Sequence, residues 1–295
     1  MNWDDAKLFL AVARAGQLLS ASNVLGVSQS TLSRRMTALE TALGTKLIIR
    51  RKHGCDLTEA GSEFFSSVER MEAEMIGAES KLAKRDAPLR GTVRIGTPDG
   101  FGTMFLSSRL GPMANRHPGL LMQLVPASHN FALANREADI AVIVGRPKQP
   151  GLMAIKLTDY SLNLYASPAY LEEWGRPDSV QDLGNHRLVG YTDDLATGSS
   201  LEYASEFYKD WQSNVQIASA IGQYEAVRQG VGIGILHNFI AANDATLVKI
   251  LKDKSVHRSY WLTYHESLRS IPRIVETVNF LKELVKSEQN AFVPS

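Results

Sequence analysis

The sequence predicts an α/β protein whose body is preceded by an N-terminal all-α head, a winged helix-turn-helix, and by a long linker helix. Three observations carry this. Leu18 to Ala60 reads as helix, tight turn, longer helix and hairpin. From Phe64 through Val68, Met71, Met75 and Ala78 to Leu82, apolar residues step by 4, 3, 4, 3 and 4, the seam of a coiled coil. Beyond Asp86 to Gly91, which reads as a hinge, the rhythm becomes strand-helix-strand.

The chain opens with Asp4 or Asp5 placed to cap a first helix whose inward face is Leu8, Phe9, Val12 and Ala13, and Gly16 ends it. In the next helix Ala21 is small enough for close packing, and Gly26 stands where that helix must stop. Ser28 offers an N-cap hydroxyl to a helix running to about Leu43. Leu32, Met36, Leu39 and Leu43 form its apolar stripe, and the opposite face carries Ser30, Ser33, Arg34, Thr37 and Thr41, with Gln29 and Thr31 at the exposed start. Short polar side chains permit close approach to a major groove, and Gln, Ser and Arg supply donors for base edges and phosphates. Such a helix taken alone also fits a solvated amphipathic surface. The segment after it favours the groove. Lys46, Arg50, Arg51 and Lys52 surround the β-prone run Leu47-Ile48-Ile49 after a Gly44-Thr45 corner, which reads as a basic wing. From Ser28 to Lys52 six Lys or Arg face a single acid, Glu40, whereas the whole chain holds 32 basic and 31 acidic side chains. Basicity this local is a footprint for a polyanion.

A new helix opens at Leu57-Thr58-Glu59-Ala60-Gly61 and carries the seam, which suits a dimer presenting two recognition helices to two half-sites, or packing on the chain's own body. In the body, Val93 and Ile95 alternate in a strand that ends at the loop Thr97 to Gly102, and a helix then runs to about Arg116. Leu120 to Val125 and Ala138 to Val144 are further strands, the second a continuous apolar run as in a buried parallel sheet. Leu162 to Ala166 begins another unit, with Ser167-Pro168 starting a short helix. Arg187 to Tyr191, Val215 to Ala220, Gly232 to Leu236 and Tyr260 to Tyr264 read as strands, and Gly222 to Gln229 as a helix. Thr192 to Lys209 fits no element, and Ile271 to Lys286 is a closing helix with Ile274, Val278, Leu281 and Leu284 inward.

With 295 residues, 44% of them hydrophobic and 21% charged, the composition is that of an ordinary globular protein of two or three domains. No apolar run is long enough to span a bilayer, so no membrane association is expected. MNWDDAKLF puts two acids where a signal peptide needs a basic region, which points to the cytoplasm. Cys55, the sole cysteine, excludes an intramolecular disulfide and any multi-cysteine zinc site; beside the basic wing its pKa is open to lowering. The seven histidines show no ligand spacing, and no nucleophile elbow or phosphate-binding Gly-Lys run occurs, so neither a metal nor a cofactor nor enzymatic activity is expected. Gly230 to Gly234 faintly resembles a dinucleotide fingerprint, but it follows a helix and enters a strand, the reverse of the required order.

The loop Thr97 to Gly102, with Asp99, Gly100 and Phe101, lies at the carboxyl end of a strand, where open α/β sheets bind ligands, and opens a helix whose N–H groups favour anions. Ser128 after the second strand, and Gln223 and Tyr224 opening a later helix, hold comparable positions. Together they would line a cleft between two α/β lobes for a small polar ligand, and the helix-opening amides rank a carboxylate first, with Asp99 arguing for a cation.

These residues resemble a LysR-type transcriptional regulator along essentially the whole chain. The head carries Phe9-Leu10-Ala11-Val12-Ala13-Arg14-Ala15-Gly16, Leu25-Gly26-Val27-Ser28-Gln29-Ser30, Leu39-Glu40 and Leu57-Thr58-Glu59-Ala60-Gly61; the body adds Ala138-Asp139-Ile140-Ala141, Ser167-Pro168-Ala169-Tyr170-Leu171 and Gly230 to Gly234. Ile48 stands where the family commonly has Phe, and His237 where it has Pro. The resemblance implies a DNA-binding head over 1–60 (helix-turn-helix about 18–37), a dimerisation helix over 61–86, a hinge at 87–91, and a two-lobed, periplasmic-binding-protein-like effector domain. Lobe I would be 92–163 with 266–295 and lobe II 164–265, the chain crossing near Asn163 and again near His265. It further implies double-stranded DNA, a small-molecule effector, RNA polymerase and self-association as dimer or tetramer. The expected DNA-binding residues are Gln29, Ser30, Thr31, Ser33, Arg34, Thr37, Arg50, Arg51 and Lys52. A cytoplasmic solute-binding protein and an α/β enzyme are the alternatives, the first opposed by the basic head and the second by the lack of a catalytic constellation.

Overall fold

The computed structural model describes residues 3–51, 54–82, 89–127, 138–193 and 201–292. They fall into two compact units, Met1–Ala87 and Pro88–Ser295.

The first unit holds α1 (Trp3–Ala15), α2 (Leu18–Leu25), α3 (Gln29–Leu43), a hairpin of β1 (Ile48–Arg51) and β2 (Gly54–Leu57), and α4 (Glu59–Leu82). Its core joins Leu8, Phe9 and Val12 of α1, Ala21 of α2, Leu32, Met36 and Leu39 of α3, and Leu47 and Ile48 at the start of the wing. The turn between α2 and α3 closes through Gly26, whose φ of +65° only glycine adopts without strain. Ser28 then caps α3, its hydroxyl accepting from the Thr31 N–H at 3.2 Å. Ala13 is only half-buried, while Ala6 and Leu10 are fully buried. The reason is that α1 is covered on two sides: Ala6 and Leu10 meet Val68 of α4 in a second small core. The seam of α4 is therefore divided. Phe64 and Val68 pack on the head itself, the Phe64 ring 5.2 Å from Phe9, whereas Met71 and Met75 are 49% and 51% exposed.

One acid locks this unit. Glu40, 7% exposed, accepts from the Lys46 ammonium at 2.7 Å and from the backbone N–H groups of Leu47 and Ile48 at 2.9 and 3.2 Å. Burial by itself would raise its pKa, but these hydrogen bonds win and hold the carboxyl below the ordinary value.

The second unit is built on a nine-stranded sheet. On one side β3 (Gly91–Pro98) pairs in parallel with β4 (Leu120–Ala127) and β5 (Ile140–Val144). On the other, β7 (Leu188–Gly190) pairs in parallel with β8 (Val215–Gln216) and β9 (Ile233–His237). Two long antiparallel strands, β6 (Leu152–Ala166) and β11 (Val256–His265), join the halves, and β10 (Val248–Ile250) pairs with β6. Around this sheet lie α5 (Gly111–Arg116), α6 (Pro168–Trp174), α7 (Ala220–Arg228) and α8 (Pro272–Ser287), together with shorter turns.

Several expectations shift. No new unit begins at Leu162: β6 is one strand of 15 residues that passes from lobe I into lobe II. Near Asn163 it is anchored by a buried network in which Asn238 Nδ2 donates to Ser161 Oγ and Asn163 Oδ1, both at 2.6 Å. The return passage precedes His265, since Tyr260–Tyr264 of β11 already pair with Val144–Ile140 of lobe I. The single helix expected up to Arg116 is broken into a π turn at Phe101–Leu106, a 3-10 turn and α5, which restarts at Gly111-Pro112. In α8, Val285 is fully buried and Leu284 half-buried. Gly230, with a φ of +79°, ends α7, and Gly232 and Gly234 enter β9, the structural role their order implied. Within 192–209, Ala204–Phe207 forms a short helical turn, and 194–200 lie outside the described residues. Among the described residues no helix is long and apolar enough to cross a membrane.

Glu40→Gln should cost about 1–3 kcal/mol, the range for hydrogen bonds to a buried charged group. Because the folded pKa is lowered, this contribution is complete above the ordinary glutamate value of 4.5 and disappears as pH falls through the folded value. Thermal unfolding of wild type and variant from neutral to acid pH should show the two curves converging in acid.

Candidate nucleic-acid interface and ligand cleft

The head presents one continuous polar surface. Gln29, Ser30, Arg34 and Thr37 are exposed on α3, Thr31 and Ser33 are half-buried beside them, and Arg50 and Arg51 are exposed on β1. Arg50 reaches from the wing to the helix, its guanidinium donating to Ser33 Oγ at 2.8 Å. Ser28 donates to Thr31 Oγ1 at 2.8 Å, and Thr37 donates back to the Ser33 carbonyl, so two expected contact residues are also engaged locally. A concavity of about 470 Å³ runs between α2, α3 and the wing, lined by Gln17, Leu18, Leu19, Gln29, Arg50, Arg51 and Gly54. Lys52 lies outside the described residues.

The six basic groups are not equivalent. Arg35 turns inward to Asp5, with Nε and Nη2 at 2.9 and 2.6 Å from one carboxylate oxygen. Lys46 serves Glu40, and Arg51 meets Asp56 at 2.9 Å across the hairpin. Arg34 is exposed with no ion pair among the described residues, which makes it the most available cation on the helix. Sequence reasoning missed Gln17 and Leu19 at the start of α2, because no capping residue marks that helix end. The thiol of Cys55 does not follow its basic neighbours: burial, then Asp56, push its pKa up, and Arg50 only partly opposes them.

In the second unit, Asp99 and Gly100 meet the start of α7. Asp99 Oδ2 accepts from Ser219 Oγ at 2.6 Å and faces the Ile221 N–H at 3.5 Å, while Oδ1 accepts from Gly100 N–H at 2.9 Å. A Cβ on Gly100 would stand 3.5 Å from Ala220 and 3.3 Å from Ile240, so the lobes approach closely here. Gln223, one turn on, is buried and donates to the Ile217 carbonyl at 2.9 Å. The other expected residues do not join them. Thr97 is fully buried with no partner for its hydroxyl, packed beneath Gly102. Phe101 belongs to an aromatic core with Tyr260 and Phe292, at centroid distances of 4.9 and 6.0 Å. Tyr224 turns to Asp244, to which it donates at 2.5 Å. Ser128 lies outside the described residues.

What sequence reading missed is a tyrosine cluster between the halves of the sheet. Tyr160 and Tyr260 stack at 4.1 Å, and His237 stacks on Tyr160 at 5.3 Å. Tyr191 and Tyr203 meet edge to face at 6.3 Å. Tyr160, Tyr203 and Tyr260 are buried, and burial holds all four phenols in the neutral form, well above ordinary tyrosine. Burial likewise lowers His237 to about 4, against the opposing pull of Asp99. These residues come from β6, β11, the end of β7, the residue before the Ala204–Phe207 turn and the end of β9, a convergence no local spacing announces. Among the described residues no group of three or more His, Cys, Asp or Glu could hold a metal ion.

Comparison with known proteins accounts for both units. The family model described as "Bacterial regulatory helix-turn-helix protein, lysR family" matches residues 3–62, and that described as "LysR substrate binding domain" matches residues 86–286. An HTH-type transcriptional regulator of Xanthomonas campestris pv. campestris is 31% identical over 63% of this chain, which spans 54% of that relative's length. The HTH-type transcriptional regulator CrgA of Neisseria meningitidis serogroup C is 28% identical over 85% of this chain and 84% of its own. A solved structure of CrgA from Neisseria meningitidis covers 97% of this chain and 99% of that one, with a TM-score of 0.62 at 25% identity.

Arg34→Ala should weaken duplex binding by about 1–3 kcal/mol if the guanidinium reads a base, with the melting temperature nearly unchanged. Fluorescence anisotropy at fixed salt measures this, and an unaltered affinity would remove Arg34 from the interface. For His237, the unfolded state takes up a proton near 6.5 and the folded state only near 4. Its contribution to stability is therefore complete above 6.5 and declines by about 1.4 kcal/mol per pH unit as pH falls through that window. His237→Phe keeps an aromatic ring against Tyr160 and should flatten the acid limb of the unfolding curve.

Proposed function

We propose how DNA and a small molecule are read by this chain, which belongs to the LysR family of bacterial transcriptional regulators. The observation that carries the reading is the head's single exposed polar face, where Gln29, Ser30, Arg34 and Thr37 of α3 stand beside Arg50 and Arg51 of the wing. The apolar side of α3 is buried under α1 and α2, so only this face is open to a duplex. Arg50, Arg51 and the start of α2 supply phosphate contacts, which provide most of the affinity, and the first turns of α3 supply base contacts, which provide the specificity. Lys52 completes the basic wing in this reading. The match of the head to the regulator family displaces the solute-binding and enzymatic alternatives.

Self-association is the second part. The exposed Met71 and Met75 lie on the half of α4 beyond its packing on the head, leaving an apolar stripe for the same helix of a second chain. Two heads so joined would bind two half-sites on cytoplasmic DNA, where RNA polymerase is the natural recipient of the signal. The third part is the effector. Asp99 and Gly100 of lobe I touch the start of α7 in lobe II, so a small molecule that changes this contact shifts the population of lobe arrangements.

The intact chain should retain regulatory DNA of its own genome, with affinity falling steeply as salt rises. Absence of duplex binding at low salt would overturn the reading. Met71→Asp places a charge on the proposed dimer stripe, where an unpaired ion is strongly disfavoured. Sedimentation should show monomers or weakened dimers with poor binding to paired half-sites, and a fully dimeric, DNA-competent variant would locate the interface elsewhere.

A further inference from the structure

We infer that the effector unit of this chain is closed without a ligand. Asp99 of lobe I, seated on Ser219 at the start of α7 in lobe II, occupies from within the place between the lobes that a ligand's acid group would take. The inference rests on the reading of this unit as an effector domain, and it makes a ligand the agent that opens the lobes by displacing Asp99.

The contact is built from both sides. Ser219 is the N-cap of α7, its Oγ accepting from the Gly222 N–H at 3.1 Å while donating to Asp99 Oδ2 at 2.6 Å. The same carboxylate oxygen faces the Ile221 N–H at 3.5 Å, so the positive end of the helix meets a full negative charge. On the other side Oδ1 accepts from the Gly100 N–H at 2.9 Å, which orients the carboxylate from within lobe I. The cap hydroxyl and the first free amide that a bound anion would find here are thereby engaged by the chain itself.

Packing closes the same seam. A methyl group added to Gly100 would stand 3.3 Å from Ile240 and 3.5 Å from Ala220, both of lobe II, so the two surfaces leave no room for a ligand at this point. Beside it the fully buried Phe292 bridges the lobes with one ring, 4.6 Å from Phe105 and 6.0 Å from Phe101 on one side and 5.0 Å from Phe239 on the other. Aromatic pairs at such distances attract one another with no ligand between them. The other residues expected to face a ligand are engaged as well: Phe101 lies in this core, Gln223 donates to the Ile217 carbonyl, and Tyr224 donates to Asp244.

Hydrogen–deuterium exchange of the intact chain, with no ligand added, reads the clasp at two places. One is the start of α7; the other is the Asn238–Ala241 turn, which meets lobe I through Phe239 and Ile240 and which a merely local loss of the cap would spare. In the wild type both should exchange slowly, and formate at tens of millimolar should change neither, because Asp99 fills the place. Asp99→Ala leaves a gap the size of a carboxylate. Both segments should then exchange at least about ten-fold faster, the scale of one charge-assisted hydrogen bond. Formate should restore their protection, and formamide or sodium chloride at the same concentration should not. Asp99→Asn keeps the shape and an acceptor oxygen, covers the case of an alanine variant that fails to fold, and should exchange several-fold faster with no response to formate. Fast exchange in the wild type, wild-type rates in the folded variants, acceleration confined to α7, or protection restored equally by chloride overturns the inference. Anisotropy with duplex DNA separates the two readings. Variants that open as described yet bind duplex with wild-type affinity uphold the clasp and overturn the effector reading, and a shifted affinity upholds both.

Discussion

The head depends on a single buried carboxylate. Leu47 and Ile48 enter the wing with their amides directed into the protein, where an unpaired N–H is costly. Glu40 supplies the acceptor for both from the end of α3, and Lys46 neutralises it from the far side. The spacing of recognition helix and wing is thereby fixed by two hydrogen bonds to one carboxylate, together with the capped corner at Gly44-Thr45, whose N–H groups return to the Thr41 and Glu40 carbonyls. Arg50 reaches Ser33 across the same gap. Thr58 reinforces the arrangement by donating its N–H to the Leu47 carbonyl and its hydroxyl to the Lys46 carbonyl, which ties the start of α4 to the same point.

The second unit uses the same solution for a different end. The first N–H groups of α7 need an acceptor, and Asp99 of the opposite lobe provides it together with Ser219. A contact that satisfies a helix terminus also joins the halves of the sheet, beside a cluster of buried tyrosines. His237 extends that cluster, because a buried neutral imidazole stacked on Tyr160 stands where a proline would offer neither ring nor titration.

The division of α4 gives one helix two duties. Phe64 and Val68 hold it to α1, and the exposed methionines begin within the next turn. A continuous heptad pattern is thus divided between an intramolecular core and an exposed apolar stripe, since the same spacing satisfies both.

Local order was legible in the sequence. The α3 stripe, the Ser28 cap, the left-handed Gly26, the seam and the entry of glycines into β9 all depend on residues within a few positions of one another, and period and turn chemistry encode such relations directly. The polar face of the recognition helix followed from the same periodicity, which tells which side of a helix is wet. Tertiary structure alone decided what each buried face meets. Glu40 counted in the sequence as one acid among bases, and only the wing folding back made it an acceptor for two amides. Phe101 and Tyr224 shared the right loop positions with Asp99, yet packing turned one into an aromatic core and the other towards Asp244. Tyr160, Tyr260 and His237 lie on strands whose pairing is set by crossovers tens of residues long, Tyr191 and Tyr203 lie in the connections between elements, and no short-range pattern records which distant element a side chain will face.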